Sequence, residues 1–315
     1  MKNYDVIIVG AGAAGLSAAL YATRRQLATL VLSRDLGGQT STTMDIENYP
    51  GVDFSTGPEL MARFAGQAKK FGAEIQLEGI SKINQDPDGF TIQSDSGAAY
   101  HARAVILAFG KSHRHLNVPG EAEFMNKGVV YCATCDAPLF EGKTVAVVGG
   151  GNAAMDTALL LTKIASKVYL IHRRDEFRAE GILVDKVKTD PKVELILNGT
   201  IKQIKGEQFV SAITITTPAG ERNIAVEGVF VEVGQQVFTG FVKDLIQLNS
   251  AGEIIVDNFN QTSQPGIFAA GDVTTVPFKQ TVISAGEGAK AALAVYNYLQ
   301  GRDPGTKFAD QGYIK

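Results

Sequence analysis

Residues 4–15 read Tyr4-Asp-Val-Ile-Ile-Val9-Gly10-Ala-Gly12-Ala-Ala-Gly15, and this stretch decides the fold. A β-branched apolar run over 4–9 that stops at glycine predicts a strand buried on both faces of a parallel sheet. Residues 16–25 then supply helix formers with neither Gly nor Pro, and 27–32 form a second apolar run. Strand, glycine turn, helix and strand come in the order a βαβ unit requires. The same order returns 139 positions on: Thr-Val-Ala-Val-Val over 144–148, a turn over 149–154, a helix over 155–163 and a strand over 168–171. The chain is therefore expected to be α/β with two nucleotide-fold beginnings.

Length and composition agree with this. At 315 residues the chain exceeds what one core supports, so about two domains are expected. With 45% apolar and 20% charged residues it can bury a large core, which excludes wholesale disorder. A net charge of −3 gives no global field for nucleic acid or an anionic membrane, so any anion site must be local. Two cysteines cannot build a secreted disulphide framework, and a redox or metal role in a reducing compartment fits them better. The apolar run over 6–22 superficially resembles a leader, but Gly10, Gly12 and Gly15 interrupt it and Asp5 stands where a leader carries positive charge. A soluble, cytoplasmic protein is expected.

Residues 90–94 and 100–107 read as strands around a turn, and 209–217 with 222–233 as a β-meander. Glycine-bearing stretches at 117–120 and 234–240 are candidate hinges.

In the first fingerprint, Gly10 permits the tight turn, Gly12 lets backbone approach a pyrophosphate, and Gly15 permits close helix–strand packing. The helix N-terminus offers N–H groups to phosphate. Where the second strand of such a unit usually ends in an acid, this chain has Ser33, a weaker partner for a ribose hydroxyl. In the second fingerprint, Gly149-Gly-Gly151-Asn-Ala-Ala154, alanine takes the third glycine position, which the pattern allows. Counting 23 residues on, as from Gly10 to Ser33, reaches His172, which opens His172-Arg173-Arg174-Asp-Glu-Phe-Arg178. Arginines at that point bind a 2′-phosphate through forked hydrogen bonds, so NADPH is expected rather than NADH.

Between the fingerprints lies Cys132-Ala-Thr-Cys135-Asp136, which holds both cysteines. Two thiols at this spacing close a small disulphide, and Asp136 is placed to move a proton. A zinc site with His113 and His115 is the competing reading, although His-x-His is not the usual finger spacing. Farther on, Gly266-Ile-Phe-Ala-Ala-Gly271-Asp272-Val273 puts a carboxylate at a strand end, either to accept from a ligand polyol or to cap the next turn. Lys279-Gln280-Thr281 leads into an apolar helix over 282–299, whose N-terminus can face a bound ring.

Together these motifs resemble the low-molecular-weight thioredoxin reductases over about residues 4–299. The resemblance is carried by GAGAAG at Gly10, GGQ at 37–39, ENYPG at 47–51, CATCD at 132–136, GGGNAA at Gly149, HRRDEFR at 172–178 and GDV at Gly271. It implies two Rossmann-like domains, with the NADPH domain (115–239) inserted into a discontinuous FAD domain (1–114 and 240–315). FAD would be held by Gly10, Gly12, Ala13, Ala14, Gly15, Ser33, Gly38, Gln39, Asn48, Asp272, Val273, Lys279, Gln280 and Thr281. NADPH would be held by Gly149, Gly151, Asn152, Ala153, Ala154, His172, Arg173, Arg174 and Arg178. The resemblance further implies hydride transfer from NADPH to FAD, reduction of a Cys132–Cys135 disulphide by the flavin, and a domain rotation that presents the dithiol to oxidised thioredoxin. Cys135 would face the flavin, Cys132 would attack the partner, Asp136 would be the acid-base residue, and the chain would be a homodimer.

Three features depart from the family pattern. Gly234-Gln-Gln-Val237-Phe238-Thr239 stands where Gly-x-x-Pro-Asn-Thr is common, Lys279 stands for arginine, and Ser33 recognises ribose weakly. Within the same class the alternatives are another redoxin partner, such as a glutaredoxin-like protein or peroxidase component, or another electron donor. From a different class, the chain would be a zinc- or nucleotide-binding redox sensor.

Overall fold

The computed structural model of the chain describes residues 2–42 and 46–308, with only the backbone for residues 134 and 135. The chain divides into two compact units: unit 1, Met1–Ser112 with Gln236–Lys315, and unit 2, His113–Gln235. His113 and Arg114, expected in the first domain, belong to unit 2, where the Arg114 amide donates to the Gly234 carbonyl at 2.9 Å. Residues 236–239 belong to unit 1, where Val237 packs with Phe241 on an apolar cluster under the sheet.

Unit 1 opens with β1 (Lys2–Val9), α1 (Ala13–Arg24) and β2 (Thr29–Ser33). There follow α2 (Gly57–Lys70), β3 (Glu74–Leu77), β4 (Ile80–Asp86), β5 (Gly89–Ser94) and β6 (Ala99–Leu107). The strands lie in the order β3-β2-β1-β6-β5-β4. β3, β2, β1 and β6 are parallel, and β4 and β5 add antiparallel to β6. Although its sequence is less apolar than that of α1, α2 forms for a local reason. The Thr56 hydroxyl accepts from the Glu59 amide at 3.3 Å and the Glu59 carboxylate accepts from the Thr56 amide at 3.1 Å. Such a reciprocal cap is worth about 1 kcal/mol.

The chain leaves unit 1 at β7 (Ser112–His113) and builds unit 2 from β8 (Val129–Val130), α3 (Ala133–Asp136), β9 (Thr144–Gly149), α4 (Asn152–Thr162) and β10 (Lys167–His172). Next come α5 (Gly181–Thr189), β11 (Val193–Leu197), β12 (Thr200–Gly206), β13 (Val210–Thr217), β14 (Gly220–Ala225) and β15 (Gly228–Glu232). Strands β11-β10-β9-β15-β8 form a parallel sheet, while β12-β13-β14 form an antiparallel one. The meander expected over 209–233 thus ends at β14, and β15 joins the parallel sheet instead. Gly228 permits this, because a Cβ there would lie 2.3 Å from the Phe140 ring. Helices α4 and α5 bury one face of the sheet, and the antiparallel strands cover the other.

After β16 (Gln235–Gln236) the chain returns to unit 1 and adds β17 (Ile267–Ala269), parallel to β6, and α6 (Thr281–Leu299). Helices α1, α2 and α6 share one apolar core on the face of the sheet opposite residues 237–256.

Candidate active site

Each unit carries one glycine turn at the carboxyl edge of its parallel strands, where the strand order reverses and α/β sheets bind ligands. In unit 1, Gly10 has φ +109° and a Cβ there would sit 2.4 Å from the Ala108 carbonyl oxygen. A Cβ on Gly15 would lie 1.8 Å from the Gly10 oxygen. Both glycines are thus dictated by the chain's own backbone. Gly12 is different, since a Cβ on it would meet nothing closer than the Gly37 oxygen at 3.8 Å. Its bare face is open, at the N-cap of a helix with no side-chain cap and no acid in its first turn. Uncapped N–H groups beside open space suit a pyrophosphate.

Around this turn the structure gathers most of the residues implied for FAD. The Gly37 amide donates to the Ala11 carbonyl at 2.8 Å, and the Gly38 amide to the Asp35 carboxylate at 2.9 Å. Gln39 donates its side-chain amide to the Lys111 carbonyl, Thr40 and Thr281 pair hydroxyls at 3.2 Å, and Asn48 donates to Gln280 at 3.4 Å. The Asp272 carboxylate accepts from the Ser284 hydroxyl at 3.1 Å, which shows the Asp at the start of α6. Lys279 donates to the carbonyls of Asp272 (3.2 Å) and Thr274 (2.6 Å), so it ties the loop before α6 together. Ala13, Ala14 and Val273 are buried, so only their backbones can face a ligand. Ser33 is half-buried at the end of β2, and its neighbour Arg34 is engaged by Asp95.

One cluster here escapes sequence reading. Glu253 lies between Lys111 and Lys279, with the Lys279 ammonium at 3.6 Å, and also accepts from Asn249 at 2.6 Å. Burial and then the nearby Lys111 hold the Lys279 ammonium below the usual lysine range. Lys111 lies 142 residues before Glu253, and Lys279 follows it at no helical or strand spacing, so no local signal marks the cluster.

In unit 2 the roles of the glycines repeat. A Cβ on Gly149 would meet the Glu232 carbonyl at 2.4 Å, and one on Gly150 would enter the His172 ring at 2.2 Å, whereas nothing lies within 4 Å of one on Gly151. Gly151 is the N-cap of α4, again with no side-chain cap and no acid in the first turn. Ala154 is fully buried and Ala153 exposed. Asn152 forms a clasp with Glu180, donating at 3.0 Å to its carboxylate and accepting from its amide at 2.9 Å. The Arg178 amide donates to the Gly150 carbonyl at 2.8 Å, which folds the arginine segment back over the turn. Arg173, Arg174 and Arg178 are exposed, and none joins an ion pair among the described residues. His172 does not extend this cationic patch. It is 8% exposed, stacked on Phe177 and hydrogen-bonded to the Glu176 carbonyl, and burial followed by the two arginines lowers its pKa. It is a neutral wedge beneath Gly150.

Cys132 is the N-cap of α3 and is disulphide-bonded, and Cys135 is the only other cysteine in the sequence. The Cys135 side chain lies outside the described residues. Asp136 ends α3, buried at 9% exposure, with its amide donating to the Cys132 carbonyl at 3.1 Å. His113 and His115 both pack against Tyr131, next to Cys132, with ring centroids 5.2 and 5.3 Å away. The Tyr131 hydroxyl donates to Glu121 at 2.7 Å, and burial then Glu121 push its pKa well up. Among the described residues no group of three or more His, Cys, Asp or Glu could hold a metal ion.

These features place two uncapped helix N-termini at glycine turns and a disulphide on one chain. Residues 4–291 match the family model for pyridine nucleotide-disulphide oxidoreductases. The chain belongs to that family. It is 42% identical to the thioredoxin reductase of Treponema pallidum over 301 residues, covering 94% of this chain and 97% of that protein. It is 40% identical to the bifunctional thioredoxin reductase/thioredoxin of Mycobacterium leprae, covering 94% of this chain and 66% of that protein. A further curated relative at 40% identity is spanned over 59% of its length. The crystal structure of thioredoxin reductase from Streptococcus pyogenes superposes with a TM-score of 0.86 at 41% identity, covering 95% and 99% of the two chains. The fold pairs two Rossmann-like units, as in that structure. No helix among the described residues is long and apolar enough to cross a membrane.

Proposed function

We propose that the chain is an NADPH-dependent thioredoxin reductase, with FAD at the unit 1 turn, NADPH at the unit 2 turn and the Cys132–Cys135 disulphide as the exit for electrons. The observation that carries this reading is the disulphide at Cys132 beside a buried acid, on the same unit as an uncapped fingerprint followed by unpaired arginines. Bound FAD supplies a two-electron relay between nicotinamide and disulphide. The open face of Gly12 and the first turn of α1 accept its pyrophosphate, and Asp272, held by Ser284, accepts hydrogen bonds from a polyol. The uncapped α4 end takes the NADPH pyrophosphate, and Arg173 and Arg174 hold the 2′-phosphate.

In balance, NADPH gives a hydride and solvent a proton, the protein disulphide opens to a dithiol, and the dithiol reduces the disulphide of thioredoxin while its own closes again. Cys132 attacks the partner sulphur, and Asp136, buried and next to Cys135 in the chain, moves the proton. The partner is thioredoxin or a thioredoxin-like protein, and the enzyme works as a cytoplasmic homodimer. Replacing Cys135→Ser tests the assignment. Flavin reduction by NADPH should persist while thioredoxin turnover falls below detection, and unchanged turnover would refute it.

A further inference from the structure

The proposed reaction leaves unused a half-buried acid at the carboxyl edge of the unit 2 sheet. Glu232 is the last residue of β15 and lies in register with Gly149, the last residue of β9. The chain leaves β9 through α4 to β10 on one side, and β15 pairs on the other. The carboxyl ends of β9 and β15 therefore border the crevice that receives the nucleotide. The backbones are so close that a Cβ on Gly149 would strike the Glu232 carbonyl. The Glu232 carboxyl is turned under α4, where the Thr157 hydroxyl donates to it at 3.0 Å. That helix presents its uncapped N-terminus to the same crevice.

We propose that Glu232 makes nucleotide binding proton-linked: the unit 2 site takes up a phosphate-bearing dinucleotide with the Glu232 carboxyl protonated, and ionisation of that carboxyl expels it. This inference rests on the reading of unit 2 as the NADPH site. An ionised carboxylate held by Thr157 under α4 repels a pyrophosphate bound at the end of that helix through a half-buried path, whereas a neutral carboxyl does not. Burial pushes Glu232 up to about 7, opposed by the Thr157 hydrogen bond, so both forms exist near neutrality.

Among the described residues no cation forms an ion pair with Glu232, although the Arg178 segment is tied to the glycine turn through its amide on the Gly150 carbonyl and the Glu180 carboxylate accepts from Asn152 at the start of α4. β8, β9 and β13 carry no charged side chains, α4 carries only the exposed Asp156, and α3 carries Asp136. Of the charged groups on β10, Lys167 is at the far end of the strand and pairs with Glu194. His172, at the near end, is held neutral by burial, and Arg173 and Arg174 follow it on the exposed loop.

The test is calorimetric titration of the oxidised, flavin-loaded protein with NADP+, from pH 7 to pH 8.5. Over that range the 2′-phosphate, with a second pKa near 6, keeps its charge. Cys132, in its disulphide, does not titrate. If only the protonated form binds, the protonated fraction falls from about one half to about one thirtieth, and affinity by about fifteenfold. Glu232→Gln should bind NADP+ with less than a twofold change across the range. Thr157→Val, which removes the bond that favours the ionised form, should move the decline to higher pH. A wild-type affinity that stays flat, or a decline that survives in Glu232→Gln, overturns the proposal and leaves the nucleotide site standing. Absence of NADP+ binding to either protein at any pH overturns the nucleotide site, and the proposal with it.

Discussion

Two glycines two residues apart on α6 give opposite predictions for the same chemical change. A Cβ on Gly288 would lie 1.9 Å from the Ala14 carbonyl oxygen, 2.7 Å from its carbon and 3.0 Å from its Cα. Ordinary contact begins near 3.4 Å, so Gly288→Ala forces α6 to retreat from α1 by about 1.5 Å. A gap of that size forfeits half or more of the dispersion energy along the seam, and overpacking of this kind costs about 3 kcal/mol. The gain from placing alanine in a helix offsets about 1 kcal/mol, leaving a net loss of about 2 kcal/mol. Gly286 is exposed on the same helix with nothing within 4 Å of its Cβ, so Gly286→Ala keeps only the gain, about +1 kcal/mol. The variants should therefore separate by about 3 kcal/mol, or on the order of 10 °C in Tm by circular dichroism. Ala14 lies in the first turn of α1 and Thr281 begins α6, so flavin retention on gel filtration should fall in Gly288→Ala alone. Equal shifts in the two variants, or a neutral Gly288→Ala, would refute the close-approach argument.

Other consequences are as specific. The double change Arg173→Ala with Arg174→Ala should raise the Kd for NADPH by about ten- to a hundredfold, the loss of charge-assisted hydrogen bonds to one phosphate, and that for NADH by less than about twofold. Equal losses by fluorescence titration would remove the 2′-phosphate from the account. Glu232 also sets a pH dependence of stability. Its folded pKa, about 7, is raised from the usual 4.5. Between those values the folded chain holds a proton that the unfolded chain has released, so stability is fully present below pH 4.5 and is lost as pH rises to 7. The loss is about 3 kcal/mol, with no further change above. Glu232→Gln should abolish this decline in melts at pH 5 and pH 7.5, and a parallel decline in that variant would contradict the burial of the group.

What could be read in the sequence was what is local. The runs at 4–9 and 144–148 with their glycine turns became β1 and β9 with α1 and α4, because strand, turn and helix are coded within about thirty contiguous residues. Helix α2 carried a legible signal in Thr56, Pro58 and Glu59, and a capping-box search would find it. The stretch 222–233 carried a signal that a single meander reading passes over: β14, Gly-Glu-Arg-Asn-Ile-Ala, is mostly polar and exposed, whereas β15 holds the continuous apolar run Val-Phe-Val that a parallel sheet buries on both faces. Spacing alone cannot tell Gly10 and Gly15, which pack on backbone, from Gly12, which faces open space. The basic run at 172–178 looked uniform, yet burial takes His172 out of it and leaves the arginines outside. Glu253 between two lysines, and Glu232 under α4, are products of the tertiary fold with no spacing to announce them.

The most direct test of the account is an anaerobic absorbance titration of the purified protein with NADPH, followed by oxidised thioredoxin. The account predicts a flavin band near the visible blue that bleaches with NADPH and returns on adding thioredoxin. A bound flavin that NADPH leaves unbleached, or a bleached one that thioredoxin does not restore, would contradict the proposed path from nicotinamide to disulphide to partner.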